Sequence, residues 1–313
     1  MKSRILPAAL FLMLAMALEA RAADFKSDLE LSAGYRMDQF NWNIAGDGTG
    51  RNPDVLSEYT WSDLETLQVS GGLRVLVHDA LYVRASLSYG WIFEGVNQDS
   101  DFAGDHRTLE FSRSNNRANK GSTLDGAMGF GYQFRSGRIR WIPLLGYSYS
   151  EQNLTLKDGY QTISVPVPGV TPPPVGPIAG LNSAYDAAWK GPWAGFDLFF
   201  AVQERLTLFG VFQYHWSSYE AVANLNLRAD LAHPKSFEHQ AEGAGYVLAA
   251  GAEYAVKGPW IATLKAGYER WSTDPGIDRI YYADGSVAET RLNEVNWRTF
   301  ALMLGVTYRF SSR

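Results

Sequence analysis

The stretch EGVNQDSDFAGDH, from Glu94 to His106, gathers four carboxylates and one histidine into thirteen positions. Only Ser100 separates Asp99 from Asp101. Two carboxylates held that close repel, so one keeps its proton to higher pH than usual, and the pair can hold a water between them. A carboxylate so placed can act as general base in peptide hydrolysis. The oxygens of Asn97, Asp99 and Asp101 are also the kind that calcium takes. A third reading asks for no chemistry, only a solvated acidic loop beyond a strand. Other signatures are missing from the sequence: it has no glycine-rich phosphate loop, no serine-centred elbow and no His-x-x-x-His pair. His78, His106, His215, His233 and His239 are scattered and read as surface or lumen polar residues. With no cysteine, the chain rests on neither thiol chemistry nor disulfides. Neither a cofactor nor a metal is expected.

Whether the aspartates act depends on the elements that position them. The chain opens MKSRILPAALFLMLAMALEARAAD: two cations, an apolar run too short to span a bilayer, then small residues. That layout predicts a cleaved secretory signal over residues 1–22, leaving 23–313 as the exported protein. The whole chain carries a net charge of −5 and residues 1–22 carry +2, so the exported part stands at −7. An acidic balance argues against nucleic acid as a partner. Aromatics make up 14% of the chain and glycines number 30, yet mean hydropathy is −0.20. An exported chain rich in aromatics and glycine, without long apolar runs, has the profile of a membrane β-barrel.

The pattern along the chain has a period of two. From Asn296 to Phe310, Phe300, Leu302, Leu304, Val306, Tyr308 and Phe310 alternate with Thr299, Ala301, Gly305, Thr307 and Arg309. The same alternation runs through Leu81–Trp91, Leu124–Phe134, Leu206–Trp216 and Ala244–Tyr254, with aromatics gathering at strand ends. In a barrel the apolar face meets lipid and the aromatic ends form interfacial girdles. Short links at 77–80, 135–138, 202–205 and 256–259 alternate with long ones at 38–57, 94–121, 159–183, 221–236 and 274–292. The fold expected is all-β: a ten-stranded antiparallel transmembrane β-barrel with short periplasmic turns and five long extracellular loops. Several strands exceed the ~9–11 residues a crossing needs, so the surplus should rise above the membrane as a collar. The prolines of VPVPGVTPPPVGPI (165–178) should stiffen the third loop into a surface flap.

Ten strands enclose little more room than the eight whose side chains fill a small barrel. Arg74, Arg84, Asp125, Arg140, Asp197, Arg205, Lys265 and Glu269 fall on the inward face. Such charges must be paired or hydrated. They predict either a salt-bridged plug or a narrow polar pore.

With ten strands, five long outer loops, YTWSDL (59–64) at the head of the second strand and DSD after the third, the chain resembles the omptins. These are outer-membrane endopeptidases, and the likeness extends to omptin-like barrels described only as outer-membrane proteins. In that family two aspartates after the third strand face an Asp-x-His pair from the upper seventh strand, and the Asp–His dyad polarises the attacking water. The resemblance implies that Asp99 and Asp101 are the first pair. Laying FQYHWSSYEAVANLNLRAD (212–230) along the family's seventh strand puts the dyad at Asn224 and Asn226. Asparagine takes no proton at neutral pH, and the histidine is missing. A shifted loop would bring in Asp230 and His233 from DLAH. Residues three apart on a strand point to opposite faces, so that rescue requires a loop or a bulge.

The sequence therefore leads to an omptin-like barrel of the bacterial outer membrane with a surface-exposed structural or binding role and no omptin-type proteolysis. The alternatives are an endopeptidase using Asp99, Asp101, Asp230 and His233, or a small passive pore. The expected partners are outer-membrane lipid, lipopolysaccharide included, and an extracellular peptide or protein if the site is active.

Overall fold

The computed structural model describes residues 25–311, so the signal segment expected over 1–22 lies outside the described residues. Ten barrel strands follow in order, each antiparallel to its neighbours. They are β1 (Phe25–Ile44), β2 (Ser57–Val77), β3 (Leu81–Gly104) and β4, which runs in three segments (Thr108–Arg117, Gly121–Tyr132 and Phe134–Ser136). Next come β5 (Ile139–Ser164), β6 (Gly176–Ala201), β7 (Leu206–Asn224) and β8 (Phe237–Lys257). Strand β9 has two segments (Trp260–Thr273 and Gly276–Tyr281), and β10 (Val287–Ser311) is the last. Pairing of β1 with β10, from Lys26↔Ser311 to Ile44↔Leu292, closes the ring and leaves no free edge.

The strands form because their sequence satisfies a ladder on one side and lipid on the other. Leu31, Leu67, Trp91, Phe130, Leu145, Leu304 and their neighbours point outward and stay exposed, which is the lipid belt. Inward positions are polar, small or glycine. Glycine is needed where a large inner side chain crosses: a Cβ on Gly146 would stand 2.4 Å from the Trp193 ring. Where the segments of β4 break, Gly121 adopts φ +147° and a Cβ would sit 2.1 Å from the carbonyl oxygen of Asn153.

The expected collar is present and taller than expected. The five outer loops shrink to residues 45–56, 105–107, 165–175, 225–236 and 282–286 because the strands stay hydrogen-bonded above the belt. This corrects one expectation directly: Asp99 and Asp101 lie on β3, inside its ladder, and not in a loop beyond it. Short polar residues such as Ser100, Ser112 and Ser114 alternate as well as apolar ones do, but they give no hydrophobic signal. The proline-rich run does form the exposed tip between β5 and β6, pinched by a Val167–Val170 bridge.

Inside, two layers fill the lumen. The collar holds an aromatic core in which Trp42, Trp61, Trp189 and Trp297 are each at most 2% exposed. Trp42 stacks on Tyr59 with ring centres 4.5 Å apart, and Trp271 stacks on Trp297 at 5.6 Å. Below lies a charged layer. Arg36, 2% exposed, is gripped by Asp38 at 2.8 and 3.0 Å and reaches Asp125. Arg84 pairs with Asp197 at 2.7 Å and Arg74 with Glu253 at 2.6 Å. These pairs enclose a cavity of about 230 Å³ that Lys265 and Glu269 also line. Seven of the eight predicted inward charges therefore face the lumen. Arg205 does not: it is exposed in the short turn after β6, where the chain reverses before the inward alternation resumes.

Candidate functional site

The outer end of the lumen is where a site must be sought, because there the barrel opens to solvent. On β3, Trp91 and Phe93 point to lipid, so unbroken alternation would turn Asp99 and Asp101 outward as well. A bulge prevents this. The register of β2 against β3 slips between Ser62 and Glu65, opposite Glu94 and Gly95. Gly95 takes φ +155°, and a Cβ there would stand 2.6 Å from the Leu64 side chain. Beyond the slip the odd-numbered residues face inward: Asn97 is buried, and Asp99 and Asp101 are half-buried.

Register then sets their neighbours. Asp99 lies opposite Tyr59 on β2 and Ser114 on β4, while Asp101 lies opposite Ser57 and Ser112. Cross-strand partners share a face, so these hydroxyls flank the carboxylates. Oδ1 of Asp99 is enclosed and finds no hydrogen-bond partner. Burial, then the charge of Asp101, pushes the Asp99 carboxyl well above the usual range. Burial also raises Asp101, while contacts from Ser57 and Ser112 draw it back. Burial thus outweighs the mutual repulsion that the spacing alone suggested. Among the described residues, no group of three or more His, Asp or Glu side chains is arranged to hold a metal ion.

On the opposite side of the cleft, Asn224, Asn226, Asp230 and His233 are all held in local contacts. Asn226 is a bracket: Oδ1 accepts from the Asn182 amide at 2.8 Å and the Ser183 hydroxyl at 3.1 Å, and Nδ2 donates to the Gly180 carbonyl. It ties the β7–β8 loop to β6. Asn224 Oδ1 lies 2.8 Å from Nδ1 of His233, so the two side chains hold each other. Asp230 accepts both hydrogen bonds of the Arg228 fork, which holds its carboxyl below the usual range. The shifted pair of Asp230 and His233 is thus engaged within its own loop, and backbone bonds from Ala232 and Ala283 stitch that loop to the β9–β10 tip. The cation whose charge acts on Asp99, Asp101 and Tyr59 is Arg228.

One polar constellation went unseen in the sequence. His239, fully buried, has Nδ1 2.8 Å from the Tyr185 hydroxyl and Nε2 3.2 Å from Oδ1 of Asp278. Tyr185 in turn contacts the Tyr219 hydroxyl at 2.5 Å, and Asp278 accepts from Thr290 at 2.9 Å. Asp278 is paired with His239 across β8 and β9, and with Thr290 across β9 and β10. The signal available was the alternation Phe237, His239, Ala241, which puts the histidine in phase with core residues. Packed under Trp42 and Phe237, the chain of four is closed to solvent.

The protein family described as Pom, Protochlamydia outer membrane protein, matches residues 30–310. The crystal structure of outer membrane protease OmpT from Escherichia coli superposes with a TM-score of 0.76 at 14% identity, covering 91% of this chain and 97% of that one. The translocator domain of autotransporter NalP from Neisseria meningitidis gives 0.36 at 10% identity, over 97% and 95% of the two chains. A major outer membrane protein from Thermus thermophilus also gives 0.36 at 10%, over 91% and 99%. Among curated proteins none matches the sequence. The OmpT likeness shows that the barrel, collar included, is shared; at this identity it speaks for the fold alone.

Proposed function

We propose that this chain, which belongs to the family of Protochlamydia outer membrane proteins, is a non-proteolytic outer-membrane barrel whose collar serves as a structural or binding surface. One observation carries the reading: the cation whose charge reaches Asp99 and Asp101 is Arg228, which is itself held by Asp230. Hydrolysis needs a base there that can accept a proton from water. A guanidinium stays protonated at any working pH and has no acceptor. The residues that match the omptin dyad positions, Asn224 and Asn226, accept no proton and are tied into loop contacts. Lipid, lipopolysaccharide included, remains the partner outside the belt.

Two other readings have specific points in their favour. The likeness to a protease fold at TM-score 0.76, together with the raised carboxyl pair, favours an endopeptidase. A charged cavity in the lumen favours a pore, but the aromatic core of the collar stands over it. The deciding experiment is incubation of the refolded barrel with a broad peptide library. No cleavage is expected; cleavage that disappears in Asp99→Ala would refute the reading. Planar-bilayer recording serves the second alternative: the wild type should show no steady conductance.

A further inference from the structure

The periplasmic mouth of the barrel collects cations without acids to match them. Lys26, Arg74, Arg135, Arg140 and Arg309 line a vestibule of about 390 Å³, with Asp28 as its carboxylate. The available acids are already committed. Asp28 accepts two hydrogen bonds from Arg309, at 2.8 and 2.9 Å. Glu253 takes Arg74 at 2.6 Å, and Asp79 takes Lys26 at 2.7 Å. Among the described residues Arg140 and Arg135 have no carboxylate within 4 Å.

These two arginines are direct cross-strand partners at the foot of β4 and β5. Like charges directly opposite each other weaken a sheet, so the arrangement costs stability unless an anion lies between them. The Arg140 guanidinium is laid over the Phe199 ring at 4.5 Å, and that of Arg74 faces the same ring at 5.6 Å. Phe199 is 4% exposed and cannot move aside, so it holds both forks in place. Nη2 of Arg74 is enclosed, and the carboxylate oxygen beside it, Oδ2 of Asp28 at 3.3 Å, is already bonded to Arg309. The result is a pocket in which Arg140 and Arg135 present guanidinium donors that no carboxylate of the described residues answers.

The geometry points to an anion site here, reached from the periplasm, for a soluble phosphate group. Guanidinium forks match phosphate oxygens two at a time, and a tetrahedral dianion can engage Arg140 and Arg135 together. The barrel wall separates the pocket from lipid, because each lining residue points into the lumen from a strand foot. A lipid headgroup therefore has no lateral route to it.

The test is a titration of the refolded full-length barrel with inorganic phosphate at constant ionic strength, followed by phosphorus NMR line width. Saturable binding is expected, weakened about tenfold or more in Arg140→Gln and less in Arg140→Lys, which keeps the charge and loses the fork. Arg107→Gln, at the opposite end of the barrel beside Glu58, should bind as the wild type does. Heat-modifiable gel mobility reports that each variant is folded. Absence of saturable binding in the wild type would overturn the site, as would unchanged binding in folded Arg140→Gln. Arg140-dependent binding to phosphatidylglycerol vesicles without binding of free phosphate would overturn the soluble source.

Discussion

Asp230 holds Arg228 through both arms of its guanidinium, at 2.9 and 2.7 Å. An arginine pinned this way loses little further freedom in pointing across the cleft, and its charge falls on Asp99 and Asp101. The cleft therefore pairs two reluctant carboxylic acids with a fixed cation. Burial raises both acids while the cation draws them part of the way back, and the cation itself takes no proton from water.

Removing the cation tests this arrangement. In Arg228→Ala both carboxyls lose the charge that pulls them down, so they should titrate at higher pH than in the wild type. Carboxyl-carbon NMR of the refolded barrel measures this directly. No peptide cleavage should appear, because the opposite side gains no base. Unmoved titration would mean that Arg228 does not face the pair.

Asp99→Asn tests the strain in the pair itself. Burial and the charge of Asp101 raise the Asp99 carboxyl well above its ordinary value of 3.8. A raised acid binds its proton more tightly in the folded chain, so its stabilising effect is full at low pH and is lost as pH rises through the folded value. The amide escapes that loss. The variant should therefore unfold later than the wild type at neutral pH, by on the order of 1 kcal/mol. The difference should close as pH falls toward 4, within the ordinary carboxylate range. Thermal unfolding in detergent across that range decides it, and a gap independent of pH would contradict the raised carboxyl.

Much of the barrel was legible because lipid imposes alternation. Met128, Phe130 and Tyr132 announce their strand unaided, and the short turns punctuate it. The collar was legible only as surplus length, since Gln98, Ser100 and Ser114 alternate without hydrophobic contrast. The aspartate pair could be named from spacing, but its direction could not. Strict alternation from Trp91 would send Asp99 into the outward row, and the bulge at Gly95 reverses this. The far side of the cleft was least legible. Arg228 gains its role from a loop geometry fixed by Asn226 and Asp230, and hydrogen bonds of that kind leave no periodic trace.

Gly95→Val tests the bulge. The native φ of +155° is strained for any side chain, and the added atoms meet Leu64 and the Ala118 carbonyl. The expected cost is about 1–3 kcal/mol. Relief by slipping one residue would turn Asp99 outward, so its carboxyl should return toward the ordinary range. Full retention of both stability and the raised carboxyl would show that the bulge does not aim the pair.

The buried chain through His239 makes a sharper demand on the collar. Asp278 is 1% exposed and joins three strands: it accepts from Thr290 on β10 and lies against His239 on β8. Truncating one partner of a buried polar network strands the others without water, which costs on the order of 2–3 kcal/mol. Asp278→Ala should therefore loosen the β9–β10 tip, while the membrane belt, whose ladder is separate, stays closed. Trypsin reads this through Arg279 and Arg291, the two cleavage sites that flank the tip. Both are half-buried in the wild type. Cleavage there should accelerate in Asp278→Ala and only slightly in Asp278→Asn, whose amide oxygen can still accept from Thr290. Equal protection in all three proteins would show that the aromatic core alone holds the collar, with the Asp278–His239 contact incidental to it.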